Sequence, residues 1–200
     1  MKIKETLESV YHEFNVATAS KRRELLVEQM KANESSGNDC MSCTGKCCTF
    51  VSNSMQMTSL EALEALYIME EKNLLTSEVK KRLEDSVKNN RLDNLIQISN
   101  DEYFRRTYTC PFYFFPDFGC GLGIDHKPYG CIAFNPCSPA QKEGGNCASD
   151  LEIQQKRNDL YKEDEEIANE FLLNEKGIDL LKKPIPLKLL ELWNILLSSK

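Results

Sequence analysis

The chain has 200 residues, 41% of them apolar and 28% charged, which suits one folded domain with helical additions and excludes wholesale disorder. Its net charge of −6 argues against nucleic acid as a partner, because binders of phosphate backbones present a basic face. The start carries no signal-peptide pattern and no apolar run nears the ~20 residues a bilayer span needs, so a cytoplasmic protein without a membrane partner is expected.

Residues 2 to about 33 read as one amphipathic helix. Ile3, Leu7, Val10, Phe14 and Ala17 recur at steps of three and four, and Leu25, Leu26 and Met30 continue them. Within it Lys21, Arg22 and Arg23 read as a solvated face, as do Arg105 and Arg106 further on. His12 reads as a surface residue. The polar run 34–39 breaks this helix, and a first cysteine block, Cys40 to Cys48, follows. After an extended exit, Thr58 and Glu61 have capping-box spacing and open a helix whose stripe is Leu60, Leu63, Leu66 and Tyr67. Asn73 ends it. A third helix starts near Thr76 and buries Val79, Leu83 and Val87.

The stretch 92–109 has no clear period. Residues 110–147 hold five more cysteines among many glycines and prolines, so regular structure there is expected to be short. From Asp150 the chain turns helical again, marked by Leu151, Tyr161, Ala168 and Phe171, with Glu163 to Glu166 as a solvated face and Gly177 as the stop. Pro184 and Pro186 precede a last helix in which Leu187, Leu190, Trp193 and Leu197 share a face. The predicted fold is mainly α, with helices packed around an irregular cysteine-rich metal-binding core. Its expected parts are an N-terminal amphipathic helix (1–33), a cysteine-cluster domain (34–148) and C-terminal helices packing on that domain (149–200).

Nine cysteines in a reducing compartment serve a metal more readily than a disulfide scaffold. Cys40 and Cys43 form a Cys-x-x-Cys pair, a turn that converges two thiolates on one ion. Cys47 lies four residues on, with Gly45 between to let the chain swing back. Cys48 is its immediate neighbour, and adjacent side chains diverge, so these two are expected to face different ligands or different irons. The second block is Cys110, Cys120, Cys131 and Cys137. Seven aromatic residues lie from Cys110 through Phe134, that last ring included, a density that shields an iron–sulfur cluster and that a structural zinc needs less. Core packing accounts for any single one of those rings. An iron–sulfur cluster is therefore the first expectation and zinc the second.

His126 is a possible nitrogen ligand and also reads as an ordinary loop histidine. Cys147 reads as a spare thiol, and Lys46 and Lys127 as cations that offset thiolate charge. No nucleotide loop, radical-SAM spacing or Cys–His–Asp set for thiol catalysis is present.

The order Cys-x-x-Cys-x-x-x-Cys-Cys, then Cys110-Pro111-Phe112 and Lys127-Pro128-Tyr129-Gly130-Cys131, resembles the YkgJ-like cysteine-cluster family. That family is described as zinc- or iron-chelating, and flagellin lysine-N-methylases carry a related domain. The resemblance spans roughly 40–137 and implies Cys40, Cys43, Cys47, Cys48, Cys110, Cys120 and Cys131 as metal ligands. Lys127 stands where relatives commonly have Arg, and the Cys-x-Ile-Tyr element is not evident between Cys120 and Cys131. The expected function is electron transfer, or the cluster-bearing part of a modification enzyme, with a redox or other protein partner. A zinc-stabilised interaction domain without redox activity and a protein-lysine methyltransferase-like enzyme are the alternatives.

Overall fold

Local chemistry sets most helix ends. In the computed structural model, which describes residues 2–37, 45–99, 102–113, 120–136 and 147–197, the first two helices are α1 (Lys2–Glu13) and α2 (Ala19–Ser35). The single helix expected over 2–33 is thus broken. Asn15 takes a left-handed φ of 52°, and Thr18 recaps the chain by accepting a hydrogen bond from Lys21 N at 3.4 Å. The break re-aims α2, so that Arg22 and Arg23 turn inward while Leu25 is only half-buried.

Strand β1 (Gln56–Met57) leads into α3 (Ser59–Glu71). The capping box is complete: Glu61 N donates to Thr58 Oγ1 at 3.2 Å, and Thr58 N donates to Glu61 Oε2 at 2.9 Å. Helix α4 (Ser77–Asn90) starts at a Thr76 cap and ends on Arg91 in the left-handed region. The undefined stretch after it contains a short antiparallel pair, β2 (Gln97–Ser99) with β3 (Glu102–Tyr103). In the glycine- and proline-rich segment the described residues form a single 3-10 turn (Ile124–His126), α5 (Tyr129–Ile132) and β4 (Phe134–Pro136), which pairs with β5 (Cys147–Ser149). Helix α6 (Leu151–Lys176) runs from an Asp150 cap to Gly177 at φ 66°. Finally β6 (Lys183–Pro184) pairs antiparallel with β1, Met57 facing Lys183, and delivers α7 (Ile185–Leu197).

The molecule is mainly helical. Helix α7 packs on both α3 and α4, α1 packs on α3, and α6 packs on α2 and α3. Their apolar faces make one large core that includes Ile3, Leu63, Leu66, Met69, Leu189 and Trp193. A smaller core joins Leu26, Val27 and Met30 of α2 to Ile132 and Ala133. The sequence placed a cysteine-rich core at the centre; among the described residues the centre is apolar instead, and Cys110, Cys120 and Cys131 lie against it as partly buried neighbours. Among the described residues no helix is long and apolar enough to cross a membrane.

Candidate metal centre and its buried charge network

Residues 46–48 form a single tight turn in which Cys48 N donates to Gly45 O at 2.7 Å. The two cysteine blocks meet there. Cys110 N donates to the carbonyl of Cys48 at 2.7 Å, and Tyr108 N donates to Asn53 O at 2.9 Å, so residues 108–110 run alongside 48–53. Gly45 is buried at φ 67° directly under the Tyr113 ring, where a Cβ would collide with the ring. The glycine is required twice, by its backbone angle and by this close approach. Tyr113 in turn bridges to Cys120, and Gly121 N donates to Phe112 O at 2.8 Å, which folds Cys120 back beside Cys110. Cys131 is carried in by α5.

These turns gather five thiols, Cys47, Cys48, Cys110, Cys120 and Cys131, into one electrostatic neighbourhood. The Cys48 thiol is raised far above its ordinary range, first by its hydrogen bond with Cys47 and then by burial. Adjacent Cys47 and Cys48 therefore lean together, where divergence was expected from their positions in the chain. Burial pushes Cys110 up to about 12, and the charge of Cys120 adds to it. Burial, Cys110 and Cys120 raise Cys131 well above its usual value, while Lys127 pulls both Cys110 and Cys131 the other way. Thiols held this close and this buried resist multiple ionisation, because each thiolate disfavours the next. Lys127, the cation that counters this, is almost completely buried.

The donor chemistry thus fits a soft metal, with sulfur ligands, low solvent access and a neighbouring positive charge. The described thiols alone do not form a coordination shell: among the described residues no group of three or more His, Cys, Asp or Glu side chains is disposed to hold a metal ion. Cys40, Cys43 and Cys137, three of the eight expected ligands, lie outside the described residues. Cys147 sits opposite Pro136 in the β4–β5 pair. His126 lines a separate cavity of about 210 Å³ with Tyr11, Arg23 and Glu64, and no thiol among the described residues borders that cavity.

Two features of the site were not visible in the sequence. Tyr108 is fully buried, takes Ile185 N as a donor at 3.1 Å, and donates to Met55 O. Burial, followed by the charges of Cys110 and Cys131, raises its phenol well above the usual range. The second feature corrects the reading of Arg22 and Arg23 as a solvated face. Arg22 has no exposed surface and Arg23 almost none. Both bind Glu64 of α3, Arg23 Nη1 at 2.9 Å, and Arg22 Nε also reaches Glu165 Oε1 at 2.8 Å. Arg157 forks onto the same Glu165, so that residue too leaves the expected solvated face.

Three guanidiniums thus share two carboxylates. They also enclose Tyr129: Arg157 stacks at 3.6 Å from its ring centre, Arg23 lies at 4.6 Å, and Arg22 Nε donates to its hydroxyl at 2.9 Å. Glu61 Oε1 accepts Tyr129 N at 2.9 Å, and Arg23 Nε donates to Lys127 O at 3.0 Å. The network therefore fixes both ends of the short segment leading to Cys131. Burial alone would raise the Glu64 carboxyl, but Arg22 and Arg23 outweigh it and hold it below its ordinary value.

No protein-family model matches the chain, no curated protein shows significant similarity to it, and no solved structure does so either.

Proposed function

We propose that this is a metal-binding protein whose cysteines hold an iron–sulfur cluster, acting in electron transfer or as the cluster-bearing part of a modification enzyme. The observation that carries the reading is the meeting of Cys47 and Cys48 with Cys110, Cys120 and Cys131 at the edge of the apolar core. Cys40, Cys43 and Cys137 complete the proposed donor set. A bound cluster would supply one-electron transfer at a potential set by burial and charge.

The remaining tasks fall to the chain itself. Tyr108, Phe112 and the Leu122 side chain are buried beside the thiol-bearing segments and exclude water there. Lys127 offsets negative charge on sulfur. Arg23 and Glu61 hold the backbone that presents Cys131. The test is the visible spectrum of anaerobically purified protein, with iron, sulfide and zinc counted. A brown protein whose broad absorbance bleaches on reduction is the expected result. Colourless protein with stoichiometric zinc and no sulfide would establish a zinc-stabilised domain in its place.

A further inference from the structure

Helix α6 has its polarity partly reversed. Leu151 and Leu160 are exposed, while Arg157 and Asn169 are buried. Burying such groups costs free energy unless they are paired, and pairing alone rarely repays it relative to apolar packing. The inward polar stripe of α6 lines a cavity of about 460 Å³, a size suited to a small molecule. Tyr129 and Gly130, the residues immediately before Cys131, line the same cavity.

The charges around this cavity are not equally committed. Glu61 accepts from Thr58 N and Tyr129 N, Glu165 is held by Arg22 and Arg157, and Glu166 faces Lys162 at 3.6 Å. Arg105 and Lys182 also line the cavity, and neither has a carboxylate partner among the described residues. Two uncommitted cations therefore face one cavity in a chain of net charge −6. Gln154 and Asn158 add amide groups to the lining and Phe134 an apolar surface.

We propose that this cavity binds a small organic oxyanion, a carboxylate or a phosphate ester. Arg105 and Lys182 hold its charged end, and its body lies against Tyr129 and Gly130, one residue from Cys131. The site stands whether or not the thiols carry a metal, because it is built from other side chains. It gives the cysteine centre a neighbouring place for a substrate or effector, separated from it by the α5 backbone.

The test is calorimetric titration of the full chain with citrate, glycerol 3-phosphate and uncharged glycerol. Saturable binding of citrate, of glycerol 3-phosphate or of both is expected, with none for glycerol, and the arm that binds identifies the oxyanion. Arg105→Ala and Lys182→Ala are each expected to weaken binding about tenfold, the worth of one charge-assisted hydrogen bond. Both side chains are exposed, so the fold is retained. Lys176→Ala, which removes a cation from a different cavity, should bind as the parent does. The proposal is overturned if neither anion binds, if the Arg105 and Lys182 variants bind like the parent, or if Lys176→Ala weakens binding as much as they do.

Discussion

Arg23 donates from its Nε to the backbone carbonyl of Lys127 at 3.0 Å, across 104 positions of sequence. One side chain of α2 thereby fixes the residue whose positive charge favours the ionised forms of Cys110 and Cys131. The same guanidinium is neutralised by Glu64, so the position of Lys127 rests on a charge pair buried between helices. Stability and site geometry are coupled through these three residues.

Glu64→Gln keeps the shape of the side chain and removes its charge, leaving Arg22 and Arg23 without their shared partner. A loss of about 3–5 kcal/mol is expected, because breaking a buried pair from one side strands the other charge. The denaturant midpoint measures it. An unchanged midpoint would show that Glu165 and backbone acceptors suffice for both arginines.

The pH dependence of stability follows from the same carboxylate. The Glu64 pKa is lowered in the folded state from an ordinary value of 4.5, so its contribution is fully present above that value and is lost as pH falls below it. Asp179, whose carboxyl is held down by Lys183 and Lys188 against the effect of partial burial, acts in the same direction. Stability is expected to drop on acidification below pH 4.5, and the drop should be smaller in Glu64→Gln. Equal acid limbs in the two proteins would assign the effect to other groups.

Gly45→Ala and Gly37→Ala form a matched pair. Both glycines have positive φ, 67° and 85°, and each substitution carries a backbone cost of about 1–3 kcal/mol. At Gly37 nothing lies within 4 Å of the added methyl, whereas at Gly45 it meets the Tyr113 ring. Gly45→Ala is expected to destabilise more and to loosen the contact between the two cysteine blocks. Near-ultraviolet circular dichroism reports the second effect, and equal behaviour of the two variants would remove the Gly45–Tyr113 contact from the account.

Serine in place of Cys47, Cys110, Cys120 or Cys131 is expected to remove the metal, and Cys147→Ser to retain it. Metal content by elemental analysis decides both. Structural metal sites in small domains supply on the order of 10 kcal/mol, so the first four variants should also melt earlier when prepared with metal. Metal loss from Cys147→Ser equal to theirs would widen the ligand set.

Much of the helical layout was legible because the signals were local. Thr58 with Glu61, Thr76, and Asp150 with Gly177 mark helix ends through contacts a few residues long. The break between α1 and α2 was not legible, since it contains neither proline nor glycine. It is set by the inward demand of Arg22 and Arg23, whose partner Glu64 lies 42 and 41 residues away. Side chains of that type are almost always solvated, so composition alone points outward. Spacing singled out the two cysteine blocks, and the backbone contact between Cys48 and Cys110 brings their described parts together. The burial of Lys127 and the place of Tyr108 depend on pairings with Arg23 and with Ile185, which no local pattern announces.

Helix α7 has a temporal consequence. It supplies Leu189, Leu192 and Trp193 to the core against which Cys110, Cys120 and Cys131 lie, yet it leaves the ribosome after every one of the cysteines. At ~5–20 residues per second, the stretch from Cys131 to Leu197 takes on the order of several seconds to synthesise. Throughout that interval the nascent chain carries its thiols without the floor that later shelters them. Their survival until α7 docks depends on the redox state around the ribosome and on whatever escorts the emerging chain.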